Sequence, residues 1–138
     1  MPWTTKLLVI ANRTVDSPEL LDALRARAAD GPIQVTLVAP ADTERSQTER
    51  RLASAVESLK AEGIAVEGIV GHCEPIVAVQ EVWDPRRFDE VIVATLPTGV
   101  SRWMTFDLPQ RIARFTDAKV TRVVASAGAG ARIQRAPA

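Results

Sequence analysis

The chain has 138 residues, enough for one domain with a core of its own. Hydrophobic residues make up 46% and charged residues 25%, an ordinary balance for a globular protein. The 17 Lys and Arg offset 17 Asp and Glu, both signs are interspersed, and there is one cysteine, so the electrostatic footprint of a nucleic-acid or anionic-membrane binder is excluded and so is a disulfide-stapled fold.

The first six residues have no basic n-region. The apolar run at 7–11 is too short for a signal peptide or a membrane span, so a cytoplasmic protein is expected. Residues 6–11 are a compact Leu, Val and Ile run, which predicts a strand buried on both faces. Ser17-Pro18 predicts a helix start, a hydroxyl N-cap followed by proline at the first helical position. Leu20, Leu21, Leu24 and Ala28 repeat at helical spacing, and Gly31-Pro32 ends the helix. Residues 33–39 predict a second strand, stopped by Pro40.

Residues 41–48 are polar and read as a loop running into a helix. Leu52, Val56 and Leu59 give that helix its apolar stripe, with Arg50, Arg51, Glu57 and Lys60 on other faces and Gly63 as its stop. Residues 64–70 alternate and predict a strand nearer the sheet edge, because Glu67 must reach water. Glu74-Pro75 opens a third helix with Ile76, Val79 and Trp83 inward, and Asp84-Pro85 stops it. Glu90–Thr95 is an apolar central strand, followed by a loop at 96–101. Asp107-Leu108-Pro109-Gln110 reads as a capping box, with Leu108, Ile112 and Phe115 as the buried stripe. Residues 119–125 predict the last strand. One domain over 1–125 and a disordered tail over 126–138 are expected. Strands alternating with helices predict an α/β fold, a parallel sheet in a three-layer α/β/α sandwich.

Several stretches resemble the universal stress protein (UspA-like) family: residues 7–14, the turn Gly71-His72-Cys73-Glu74-Pro75, the strand Asp89-Glu90-Val91-Ile92-Val93, the segment Val100-Ser101-Arg102, and residues 120–124. The resemblance covers about 6–125. It implies a five-stranded parallel sheet of order 3-2-1-4-5 and a homodimer joined through the last strands, with Val120, Arg122 and Val124 at that edge. The edge either pairs with its copy, as exposed edges invite, or is covered by the tail.

ATP-binding members of that family carry Gly-x2-Gly-x9-Gly-Ser/Thr around the fourth loop, whose glycines let the backbone approach the phosphates. Here the first glycine position falls on Ala94, the loop is one residue shorter with only Gly99 inside it, and the closing pair falls on Phe106-Asp107. A carboxylate facing a triphosphate is repulsive by about 1 kcal/mol or more at contact distance. The family's acid after the first strand falls on Asn12, an amide with other donor and acceptor roles. No cofactor is certain on these residues. ATP or another adenine nucleotide is the ligand the resemblance implies, and the departures argue for weak or altered nucleotide or anion binding.

The candidate ligand residues are Asn12, Arg13, Ala39, Thr95, Thr98, Gly99, Ser101 and Arg102. Either the loop after the fourth strand forms a small-anion site with Asn12 and Arg13 opposite, or it is a polar loop capping a helix. His72-Cys73 reads as a turn residue and a buried small hydrophobe, since zinc needs three or four ligands and dithiol chemistry needs a second cysteine. Gly99-Val100-Ser101-Arg102-Trp103 lacks the second glycine of a nucleophile elbow. Gly128-Ala129-Gly130 lacks the third glycine and the preceding strand of a dinucleotide fingerprint. Trp3, Trp83 and Trp103 are expected to pack. The function expected is a non-catalytic, stress-related binding or regulatory module. The alternatives are a pure protein-interaction module with a vestigial site and a nucleotide-dependent enzyme of the same fold group.

Overall fold

The computed structural model describes residues 4–11, 15, 17–41, 44–95 and 108–124. The expected tail, the loop at 96–101 and Asp107 lie outside the described residues. Five strands run in the order β3-β2-β1-β4-β5: β1 Thr5–Ile10, β2 Ile33–Pro40, β3 Ala65–Gly71, β4 Glu90–Thr95 and β5 Lys119–Val124. All neighbours pair in parallel. Four helices lie among the described residues: α1 Pro18–Asp30, α2 Arg45–Ala61, α3 Pro75–Val82 and α4 Leu108–Thr116. The architecture is the three-layer α/β/α fold of order 3-2-1-4-5.

The two faces of the sheet make two cores. On one, Leu7, Val9, Val35, Leu37 and Ile92 meet Leu20 and Leu24 of α1 and Leu52, Ala55 and Leu59 of α2. On the other, Leu8, Ile10, Val38, Val91 and Val93 meet Ala78 and Val79 of α3 and Leu108 and Ile112 of α4. Alternation within each strand places successive residues in opposite cores, which is why β1 and β4 read as unbroken apolar runs. Each fully buried Leu, Ile or Val contributes about 1.5–3 kcal/mol by removal from water.

Several helix ends match their sequence signals. The Ser17 hydroxyl accepts the Leu20 amide at 3.2 Å, with Pro18 in the first turn. At the end of α2, Gly63 (φ +80°) turns the chain. Its amide donates to the Lys60 carbonyl at 2.9 Å and that of Ile64 to Leu59 at 3.1 Å, a Schellman closure. Ile64 is therefore the last residue of the α2 stop rather than the first of β3. Asp117 takes the same left-handed conformation (φ +55°) after α4.

Other expectations are corrected. β2 does not stop before Pro40. The pairing continues with Pro40 opposite Gly71, and Ala41 donates to the Gly71 carbonyl at 3.0 Å, so the ladder toward β3 is complete without an amide at position 40. α2 begins at Arg45, which fixes where the expected loop at 41–48 passes into its helix, and Thr48 starts the buried stripe that continues through Leu52, Ala55 and Leu59. Phe115 is 43% exposed. Thr116 takes the inward place, its hydroxyl donating to the Ile112 carbonyl at 2.7 Å. Cys73 is exposed, not buried. Trp83 does pack, stacked on Phe88 with ring centroids 6.0 Å apart.

Two glycines mark close approaches. A Cβ at Gly68 would stand 2.8 Å from Leu52 Cγ and 3.0 Å from Val56 Cγ2, so α2 lies directly on β3 there. At Gly71 a Cβ would meet Ala78 of α3 at 3.0 Å.

The opposite edge of the sheet, where the strands begin, is tied by polar contacts. The Lys6 amide donates to Asp89 Oδ2 at 2.8 Å, and the Asp89 amide returns a bond to the Lys6 carbonyl, also at 2.8 Å. Beside that clasp, Arg27 of α1 forks onto Glu90, the first residue of β4, with bonds of 2.7 and 2.6 Å.

Candidate functional site

The element order creates a cleft before any side chain is considered. From β1 the chain turns toward β2 with its helix on one face. From β4 it turns toward β5 with its helix on the other. The ends of β1 and β4 thus diverge, and in open parallel sheets ligands sit at such a point, beyond the carboxyl ends of the strands.

Ala39 and Thr95 of the candidate set are described. Both stand at this end of the sheet, on β2 and β4, with β1 between them; two strand spacings separate them by about 10 Å. The Ala39 side chain is 0% exposed and belongs to the core beneath the rim. Ala11 and Ala94 are equally buried in the same core. Pairing of Ile10 with Val38 and Val93, and the bond from the Ala11 amide to the Val38 carbonyl at 3.0 Å, bring the three alanines level. Methyl groups thus form the last core layer under the cleft. Asn12, Arg13, Thr98, Gly99, Ser101 and Arg102 lie outside the described residues.

His72 and Cys73 follow the end of β3. The Glu74 amide donates to His72 Nδ1 at 3.0 Å, and Cys73 Sγ is 3.8 Å from the same nitrogen. The ring nitrogen is occupied in holding the turn before α3. Among the described residues, no group of three or more His, Cys, Asp or Glu could hold a metal ion. No helix among them is long and apolar enough to cross a membrane.

Two features escaped the sequence reading. The first is the Arg27–Glu90 pair. Glu90 is 6% exposed, and Thr121 of β5 adds a long contact of 3.4 Å to the same carboxylate. The hydrogen bonds from Arg27 hold the Glu90 carboxyl below the usual carboxylate range, against the opposing effect of burial, and the pairing raises Arg27 in turn. The available signal was an acid opening an otherwise apolar strand, although its partner is far away in sequence. This pair lies at the edge remote from the cleft, so its role is to hold α1 on β4. The second is Arg51, expected off the apolar stripe of α2 and half-buried in the structure. Its Nη2 donates to Gln47 Oε1 at 3.3 Å, while Nη1 is buried without a partner.

A shallow polar cleft of about 170 Å³ lies at the remote edge, lined by Lys6, Gln34, Thr36, Arg87 and Phe88. Glu67 reaches into this region from β3, 3.9 Å from Arg87 and 3.4 Å from the Thr36 hydroxyl. Those contacts are too long to fix a geometry.

No protein-family model and no curated protein matches the chain. Among solved structures it is similar to a universal stress protein crystallised in complex with cAMP, at a TM-score of 0.59 and 22% identity, over 88% of this chain and 98% of that one. At this identity the likeness establishes the fold, and its coverage extends it over nearly the whole of both chains.

Proposed function

We propose that this chain is a nucleotide- or anion-binding regulatory module of the universal stress protein type, without a catalytic centre. The observation that supports it most is the near-complete structural overlap with a universal stress protein that carries cAMP. The cleft between the diverging ends of β1 and β4 is the place where a ligand of that kind would sit. The ligand class is an adenine nucleotide with few phosphates, or a small anion. In the sequence, Ala94 falls where ATP-binding members of that family carry a glycine and Phe106-Asp107 where they carry a Gly-Ser/Thr pair, which favours a nucleoside monophosphate over ATP.

The protein works as a homodimer in this reading, joined through β5. That strand is an edge with no fully buried residue, and Val124 is 44% exposed. Thermal melting in the presence of AMP, cAMP, ATP and inorganic phosphate tests the ligand. A ligand at about 100 times its Kd adds roughly 2.7 kcal/mol of stability. AMP or cAMP is expected to raise the melting temperature more than ATP. Absence of any shift at millimolar ligand overturns the reading.

A further inference from the structure

α3 is too short to cover one face of the sheet from end to end. It has eight residues and so does β2, which sets about 12 Å of helix against about 26 Å of strand. Its Ala78 and Val79 share a core with Ile10, Val38 and Ile69, toward the strand ends. Alternation and register put Lys6, Gln34, Thr36 and Glu67 on the same face, nearer the strand starts. The opposite face of β2 is apolar throughout, with Ile33, Val35, Leu37 and Ala39 in the other core. One corner of the sheet is thus polar where a helix-covered parallel sheet is ordinarily apolar.

The open cleft of about 170 Å³ sits on that corner, lined by Lys6, Gln34, Thr36, Arg87 and Phe88. Thr36 and Phe88 are buried, and the Arg87 guanidinium lies over the Phe88 ring, 5.7 Å from its centroid. An ammonium, a guanidinium, an amide and a hydroxyl therefore border one small space, a set rich in donors. Two acids stand near it. Asp89 Oδ2 accepts the Lys6 main-chain amide at 2.8 Å. Glu67 is the more telling one, because the Thr36 hydroxyl and Arg87 Nη2 address the same oxygen, Oε1, at 3.4 and 3.9 Å. Two donors from separate elements converge on a carboxylate oxygen that its own strand holds short of close contact. A carboxylate free of that tether can come nearer.

We propose that this corner is a second binding site, which takes a small free carboxylate between Arg87 and Lys6. Arg87 presents its planar fork to the carboxylate, Lys6 adds a charge from β1, and Gln34 and Thr36 donate from β2. The buried ring of Phe88 under the guanidinium keeps water from one side of it, which strengthens the pairing. Glu67 is the competitor: it holds the Arg87 side of the site loosely and repels an incoming anion. The size of the space sets the ligand class. Pockets for drug-sized molecules begin at about 300 Å³, so this one suits an acid of a few carbons and not a nucleotide. The site lies at the end of the sheet remote from the proposed nucleotide cleft and is independent of it.

Backbone amide NMR of the full chain, titrated with succinate, with its neutral analogue succinamide, and with sodium chloride at matched ionic strength, is the test. The amides of Gln34, Thr36, Arg87 and Phe88 are expected to shift and saturate at millimolar succinate, and to stay in place with succinamide and chloride. Arg87→Gln is expected to weaken succinate about fivefold or more. Glu67→Gln, which removes the competing acid, is expected to tighten it about twofold or more. Both side chains are exposed, so neither variant threatens the fold. Lys6→Gln weakens succinate as well and leaves the clasp with Asp89 intact, because that clasp uses the main chain of Lys6. Shifts that do not saturate, or that succinamide or chloride reproduces, overturn the site. So does an unchanged affinity in Arg87→Gln, or a weaker one in Glu67→Gln. Shifts confined to Ala39 and Thr95 place the anion at the other end of the sheet and overturn this proposal while the nucleotide reading stands.

Discussion

Gly68 carries more of the fold than its size suggests. It lies on β3 at the point where Leu52 and Val56 of α2 come closest to the sheet. In Gly68→Ala the new methyl would stand 2.8 Å from Leu52 Cγ, so the helix or the leucine must move. Overpacking of this kind costs about 1–3 kcal/mol. Urea unfolding is expected to give a lower midpoint with an unchanged slope. A midpoint equal to wild type would mean that α2 shifts freely. At this scale the sequence was readable where a residue acts on its own backbone. Ser17, Pro18 and Gly63 do so and were read correctly. It was not readable where a side chain's fate depends on a distant surface. Arg51 looks like any outward arginine on an amphipathic helix, and its burial depends on what packs along that flank. Phe115 fits the apolar period, yet α4 ends one residue later at Thr116, whose hydroxyl turns back onto the helix and takes the inward place.

Among the elements, the joint between α1 and β4 has the clearest energetic signature. Arg27 and Glu90 form a forked pair in which the carboxylate side chain is 8% exposed and the guanidinium 31%. Removing Arg27 strands a buried carboxylate, and Arg27→Ala is expected to cost about 3 kcal/mol at neutral pH. Glu90→Gln costs less, because Arg27 can turn toward water. The sign of the pH dependence follows from Glu90, whose carboxyl is held below its unfolded-state value chiefly by the Arg27 hydrogen bonds. Its stabilisation is complete above the ordinary carboxylate range and is lost as pH falls through the lowered value. Denaturant titrations across the acid range should show the gap between wild type and Glu90→Gln shrinking as pH falls; a gap that stays constant refutes the assignment. The β4 boundaries were legible from the sequence alone, since a run of Val, Ile and Ala between an acid and a threonine has one sensible reading. Its partner at Arg27 was not, because nothing periodic links residues that far apart. The start of α2 is legible only as a loop at 41–48 running into a helix, because polar residues obscure a stripe that begins at Thr48.

At the level of the whole molecule, the strand order was legible because alternating elements and right-handed crossovers leave few topologies open. Of the candidate ligand residues, Ala39 and Thr95 fall among the described ones, and the sheet brings both to one end. The dimer belongs to this scale. Val120 and Val124 share one side of β5, where α4 carries the exposed Phe115. Val124→Asp is expected to convert a dimer to a monomer by light scattering, since an acid on an edge strand resists pairing. A monomeric wild type at working concentration defeats the dimer itself.

The clasps of Lys6 with Asp89 and of Arg27 with Glu90 all sit at the edge where the strands begin. The proposed ligand cleft is at the other. Anchorage and recognition at that cleft therefore draw on separate residues, and drift in one need not unseat the other. A lineage built this way can exchange its ligand loops repeatedly while inheriting the same scaffold, and grafting a foreign fourth loop should change what the protein binds without changing how it folds.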